Sequence, residues 1–167
     1  IGVISCIIAQ KVSPQLVYSI EANPSLKMII GDNLKLNNLS NTKVLNLALC
    51  GAEEVFFIPG NDNTVGTVTS KKQDNSVAIN SSSLSGITSK LGIDKFNLVC
   101  DIEGSEVEFL FFDSASLINC EYLVIELHHT SRDGIEYSVG QMKERIKTLG
   151  FIIVNEHGSV IVASRTA

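Results

Sequence analysis

Short apolar runs alternate with amphipathic stretches along this chain, and that alternation constrains its fold more than any other feature. Residues 16–21 read as a buried strand centred on Val17, Tyr18 and Ile20. Asn23-Pro24 follows, a helix cap and first-turn pair. The spacing then predicts a helix over 24–38, with Leu26, Ile29, Ile30, Asn33, Leu34 and Asn37 mostly along one stripe. Residues 44–49 are a second strand and 54–58 a third extended piece. Further on, the pattern predicts helix 84–91, strand 96–102, and a helix over 103–112 that begins immediately after that strand. Strand 122–127 and an amphipathic helix 139–149, closed by Gly150, come next. Strands 151–154 and 160–163, joined through Asn155-Glu156-His157-Gly158, end the chain as a hairpin. Strands alternating with helices imply an α/β fold, a mostly parallel sheet covered on both faces. The terminal hairpin adds an antiparallel strand to it.

Residues 59–83 break the pattern. They are rich in Asn, Ser, Thr, Gly and Asp, which favour turns and loops. A stretch this long is expected to be a functional loop or lid over the active site, or else a disordered surface insertion, with 67–69 briefly extended.

Composition excludes several classes. With 167 residues, the chain is long enough for one sizeable core and too short for two ordinary domains. Its apolar runs, such as 3–9 and 151–154, are far short of a membrane span. A net charge of −5 provides no electrostatic footprint for nucleic acid, and none is expected as a partner. Cys6, Cys50, Cys100 and Cys120 stand singly, without the close spacing of a zinc or redox pair. They read as small buried hydrophobes in a reducing cytoplasm. The chain opens on Ile1, without an initiator Met, directly into an apolar run, and is expected to be N-terminally incomplete.

Ligands of such sheets bind at the carboxyl ends of the strands. Glu21, Leu47, Ala48, Leu49, Asp101 with Glu103, and Glu126 with His128 and His129 are found there. A strand-end carboxylate before a helix can hydrogen-bond a ribose diol. Glu21 fits this role, nineteen residues after Gly2, close to the spacing between a nucleotide-binding turn and its acidic partner. Asp101 and Glu103 would equally suit the dipole of a helix N-terminus. One residue apart, they would alternatively hold a divalent metal, but with no third ligand evident none is assigned. His157 is a turn residue without a role.

An ordered set of motifs resembles one family. Ile1-Gly2-Val3-Ile4-Ser5 looks like the tail of the Asp-x-Gly-Ala-Asn-Ile-Gly loop of FkbM-type methyltransferases. Ser19-Ile20-Glu21-Ala22-Asn23-Pro24 resembles their Phe-Glu-Pro-Asn-Pro segment. Asn33-Leu34-Lys35-Leu36-Asn37-Asn38 resembles their Asn-x-x-x-Asn-Asn helix end, and Asn46-Leu47-Ala48-Leu49 their Asn-x-Ala-Leu strand. Asp101-Ile102-Glu103-Gly104-Ser105-Glu106 is similar to Asp-x-Glu-Gly-x-Glu, the most specific match. Leu123-Val124-Ile125-Glu126-Leu127-His128 resembles the following strand. Leu84-Ser85 departs from the family's Leu-Asp, and its first strand and most of its loop lie outside this sequence.

The resemblance implies a single domain over 1–167 with a three-layer, Rossmann-like class I methyltransferase sheet. It also implies methyl transfer from S-adenosylmethionine to a hydroxyl of a small molecule, sugar, glycolipid or polyketide. Glu21 would hold the ribose, bordered by Ala22 and Asn23, while Leu47, Ala48 and Leu49 pack near the adenine. Gly2 would approach the methionine portion, and Asp101 the sulfonium or amino group. The base that takes the hydroxyl proton would be Glu103 or His128. The rival readings are a nicotinamide-dependent dehydrogenase, since Glu21 suits that ribose too, and a non-catalytic module of the same fold.

Overall fold

A computed structural model describes residues 2–52, 54–60 and 66–165. Ile1 of the loop motif and residues 61–65 of the polar stretch lie outside the described residues. The fold is α/β with mixed sheets, and the chain divides into two compact units at Ser82 and Ser83.

In the first unit, helix α1 (Val3–Val12) begins at Gly2, whose φ is 73°. No helix is predicted there, because the largely apolar run at its start has no amphipathic period. Strand β1 (Val17–Glu21) runs parallel to β2 (Thr42–Asn46), joined by helix α2 (Pro24–Leu36) as a βαβ crossover. The Asn23 side chain caps α2 by accepting the Ser25 backbone N–H at 3.0 Å, and Pro24 occupies the first turn. Leu26, Ile30 and Leu34, four residues apart, form its buried stripe, whereas Ile29 faces solvent at its edge. The second predicted strand divides into β2 and β3 (Ala48–Leu49), with Leu47 between them.

Residues 59–83 differ from the loop or lid expected. Strand β4 (Val55–Pro59) pairs antiparallel with both β5 (Gly66–Thr69) and β6 (Val77–Ile79). A short strand β7 (Ser81–Ser82) then returns parallel to β3. The extension expected at 67–69 falls within β5; the polar stretch around it conceals the pairing because the burial lies on β4, in Val55, Phe56 and Phe57. A Cβ at Gly66 would overlap the Phe57 ring, so the bare backbone is what lets the hairpin close. The described strands consequently pair in both senses, and the sheets are mixed.

The second unit opens with helix α3 (Leu84–Leu91), capped by the Ser83 hydroxyl and ended by Gly92 at φ 64°. Strand β8 (Phe96–Cys100) runs parallel to β9 (Cys120–Glu126). Between them, the helix expected from 103 starts later: Glu103 and Gly104 have φ of 53° and 100°, and residues 108–112 are wound as a π-helical turn. These positive φ values belong to a turn, so no regular helix can include them. A 3-10 turn over Ser114–Asn119, which the sequence reading did not anticipate, follows.

After β9, a hairpin of β10 (Thr130–Arg132) and β11 (Ile135–Tyr137) closes on Asp133-Gly134, both at positive φ. That dipeptide is a hairpin signal the sequence reading passed over. Helix α4 (Val139–Thr148) has a capping box between Ser138 and Gln141 and buries Met142 and Ile146 completely. Each buried side chain contributes about 1.5–3 kcal/mol. Strands β12 (Phe151–His157) and β13 (Val160–Arg165) form the expected terminal hairpin. Its turn falls at Gly158-Ser159, so β12 continues through residues assigned to the connection. β13 inserts antiparallel beside β9, giving the order β12-β13-β9-β8.

Candidate functional site

In the first unit the cofactor candidates gather around the end of β1. The Glu21 carboxylate accepts the Asn23 backbone N–H at 2.8 Å. The Asn46 amide donates to the carbonyls of Glu21 and Ala22 at 2.7 and 3.2 Å, locking the turn from β1 into α2. Leu47 joins the same corner, its N–H donating to the Glu21 carbonyl at 3.2 Å. Burial pushes the Glu21 carboxyl up, partly opposed by the backbone N–H groups of Asn23 and Ala22, and the net direction is above the ordinary value. Ala48 and Asn23 are buried. Ala48 pairs with Ser81, and Leu49 with Ser82. Gly2 lies against Ile30 of α2, where an added Cβ would come within 3.1 Å of that side chain. Asn46 has a role that sequence reasoning missed, although it sits in the Asn-x-Ala-Leu motif.

In the second unit Asp101, Glu103 and His128 converge. His128 Nε2 lies 3.5 Å from Glu103 Oε2 and 3.9 Å from Asp101 Oδ1. Parallel pairing of β8 with β9 accounts for this, since both strands finish at the same edge. The left-handed turn at Glu103 and Gly104 then folds the motif back beside its own strand end. At Gly104 a Cβ would approach Thr130 Oγ1 to 2.9 Å, which requires glycine there in addition to the φ of 100°.

A second residue whose role the sequence reading missed is Glu106. It is fully buried, and its Oε1 lies 3.0 Å from His128 Nδ1 and accepts the Ile102 backbone N–H at 3.1 Å. The sequence offers two carboxylates here, Glu106 and Glu108, ahead of the apolar Phe109 and Leu110, and no local signal tells which of them is buried. Burial pulls the His128 imidazolium down. The Glu106 hydrogen bond and the charges of Glu106, Glu103 and Asp101 outweigh that, leaving it above the ordinary histidine value. His129 goes elsewhere and pairs with Glu136 on β11 at 2.9 Å.

Asp101, Glu126 and His128 also offer ligand-type atoms within 4.8 Å of one another. Asp101 is mostly exposed, and Glu126 accepts the Ser159 hydroxyl at 3.2 Å, so we assign no ion to this group. All four cysteines are free; Cys100 and Cys120 are buried as expected, while Cys6 and Cys50 are partly exposed. Among the described residues, no helix is long and apolar enough to cross a membrane.

The family model of the Methyltransferase FkbM domain matches residues 11–153. No curated protein matches the chain. Among solved structures, M. jannaschii TYW2 in complex with AdoMet is similar at 17% identity and a TM-score of 0.40. That likeness covers 95% of this chain and 62% of the TYW2 chain, so the present chain spans under two thirds of its length. The family match takes in both the Glu21 corner and the Asp101–His128 cluster, and the chain belongs to the FkbM methyltransferase domain family.

Proposed function

We propose that this protein transfers a methyl group from S-adenosylmethionine to a hydroxyl of a small molecule, sugar or glycolipid. The observation that carries the reading is the strand-end cluster, in which His128 Nε2 sits beside Asp101 and Glu103 within the family match. The match also crosses from one unit to the other, which supports a single domain with a Rossmann-like, class I sheet.

S-adenosylmethionine, when bound, would supply an activated methyl group to the acceptor oxygen, with S-adenosylhomocysteine as the leaving product. Glu21 fits the ribose hydroxyls as an acceptor held in place by its own turn, with Ala22 and Asn23 at its border. Leu47, Ala48 and Leu49 provide apolar contact for the adenine. Gly2 would approach the methionine portion, and Asp101 would offer a negative charge to its amino or sulfonium group. His128 Nε2 removes the acceptor hydroxyl proton, and Glu103 orients that hydroxyl. His128 is preferred to Glu103 as base because one imidazole nitrogen is already engaged and the other faces the carboxylates. Free thiols and dependence on S-adenosylmethionine support a cytoplasmic setting.

The experiment is incubation with methyl-labelled S-adenosylmethionine and a panel of sugars, glycolipids and small alcohols. Label appearing in an acceptor ether, with equimolar S-adenosylhomocysteine, is the expected result. Cofactor binding without transfer to any acceptor would favour the non-catalytic module, and binding of a nicotinamide dinucleotide instead would favour the dehydrogenase.

A further inference from the structure

We propose that Glu106 is a positioning residue that fixes the tautomer of His128, so that Nε2 is the nitrogen available to take a proton. This rests on the reading of His128 as the base. An ionised carboxylate only accepts hydrogen bonds, and a neutral imidazole has one donor and one acceptor nitrogen. With Nδ1 at 3.0 Å from Glu106 Oε1, Nδ1 has to carry the hydrogen, and the lone pair is left on Nε2.

Several features keep the arrangement from relaxing. Glu106 is fully buried, so water does not compete for its oxygen. The same oxygen accepts the Ile102 backbone N–H at 3.1 Å, which fixes the side chain from its other flank. Ile102 lies between Asp101 and Glu103, the carboxylates that face Nε2 at 3.9 and 3.5 Å. One carboxylate oxygen therefore sets both the imidazole and the turn bearing its neighbours. The left-handed conformation of Glu103, at φ 53°, is the local cost of that turn, and such strain concentrates at working sites.

The test combines nitrogen-15 NMR of His128, assigned by comparison with His128→Asn, with steady-state kinetics of Glu106→Leu and Glu106→Gln. We expect the wild-type imidazole, at a pH above its raised pKa where the ring is neutral, to be in the Nδ1–H form. Glu106→Leu removes the acceptor, so the spectrum should become a mixture of tautomers and kcat should fall about 10²-fold, with KM for S-adenosylmethionine unchanged. Glu106→Gln retains an acceptor oxygen but no charge; it should recover the Nδ1–H form and part of kcat. If Glu106→Leu does not fold, Glu106→Gln still decides, because a lost Nδ1–H form together with wild-type kcat in that variant would contradict the proposal. An Nε2–H tautomer in the wild type, or Glu106→Leu with unaltered spectrum and kcat, would overturn it. A fixed Nδ1–H tautomer in a protein that transfers no methyl group would instead overturn the reaction assigned to the site.

Discussion

The Glu21 carboxylate accepts the backbone N–H of Asn23 at 2.8 Å, while the Asn23 side chain accepts the N–H of Ser25 and caps the next helix. The cofactor candidate and the helix cap thus share one turn, so the carboxylate is held before any ligand arrives. Replacing Glu21 by Gln keeps an oxygen for the Asn23 contact and removes the charge. If Glu21 bonds a ribose diol, the change should cost about 1.5–3 kcal/mol of binding, roughly a 10–100-fold weaker Kd. Circular dichroism and Tm should remain close to wild type.

The direction of the Glu21 pKa adds a pH dependence. Its carboxyl sits above the ordinary 4.5, with burial as the main cause, so protonation begins at a higher pH than for an exposed glutamate. Affinity for S-adenosylmethionine should weaken as pH falls toward and through that raised value, and the Glu21→Gln variant should lose this limb. Calorimetric titrations at several pH values read both.

Gly66→Ala tests the strands found in the polar stretch. The added methyl would overlap the Phe57 ring and approach the Ile58 carbonyl oxygen to 2.8 Å. A cost of about 1–3 kcal/mol in urea unfolding is expected. If 66–79 were a free loop, the substitution would be neutral or slightly stabilising.

What was legible in the sequence follows from which residues carry the burial. The stripe of Leu26, Ile30 and Leu34 and the runs 17–21 and 120–126 announce themselves, because each element supplies its own apolar face. Strand β5 shows only as the brief extension expected at 67–69, β6 (Val77–Ile79) is too short to display an alternating pattern, and β7 (Ser81–Ser82) carries only hydroxyls. Helix α1 is hidden for another reason, its first two turns being largely apolar without a single buried stripe, with Val3, Ile4 and Ile7 exposed. At the site, strand-end logic located Glu21, Asp101, Glu103 and His128 but not Glu106. Its contact with His128 spans twenty-two residues and depends on the left-handed turn at Glu103, which no local pattern encodes.

His128 should affect stability with a definite sign. Its folded-state pKa is above the ordinary 6.5: burial lowers it, and the Glu106 contact with the charges of Glu106, Glu103 and Asp101 more than compensates. The stabilisation is complete below about 6.5, the unfolded-state value, and is lost as pH rises through the raised folded value. Denaturant unfolding from pH 5.5 to 8.5 should show this decline in the wild type and a flatter profile in His128→Asn.

The cysteines should divide by accessibility. Burial pushes the Cys120 thiol up to about 11, and that of Cys100 well above its ordinary value. Both should resist Ellman's reagent at pH 8 until the protein unfolds, whereas the partly exposed Cys6 and Cys50 should react in the native state.

The most direct test of the central claim is calorimetric titration of S-adenosylmethionine and S-adenosylhomocysteine into the wild-type protein and Glu21→Ala. The account requires one-to-one binding of both ligands by the wild type, with affinity reduced at least 10-fold in a folded Glu21→Ala protein. No binding by a folded wild type, or equal binding by both proteins, would contradict it.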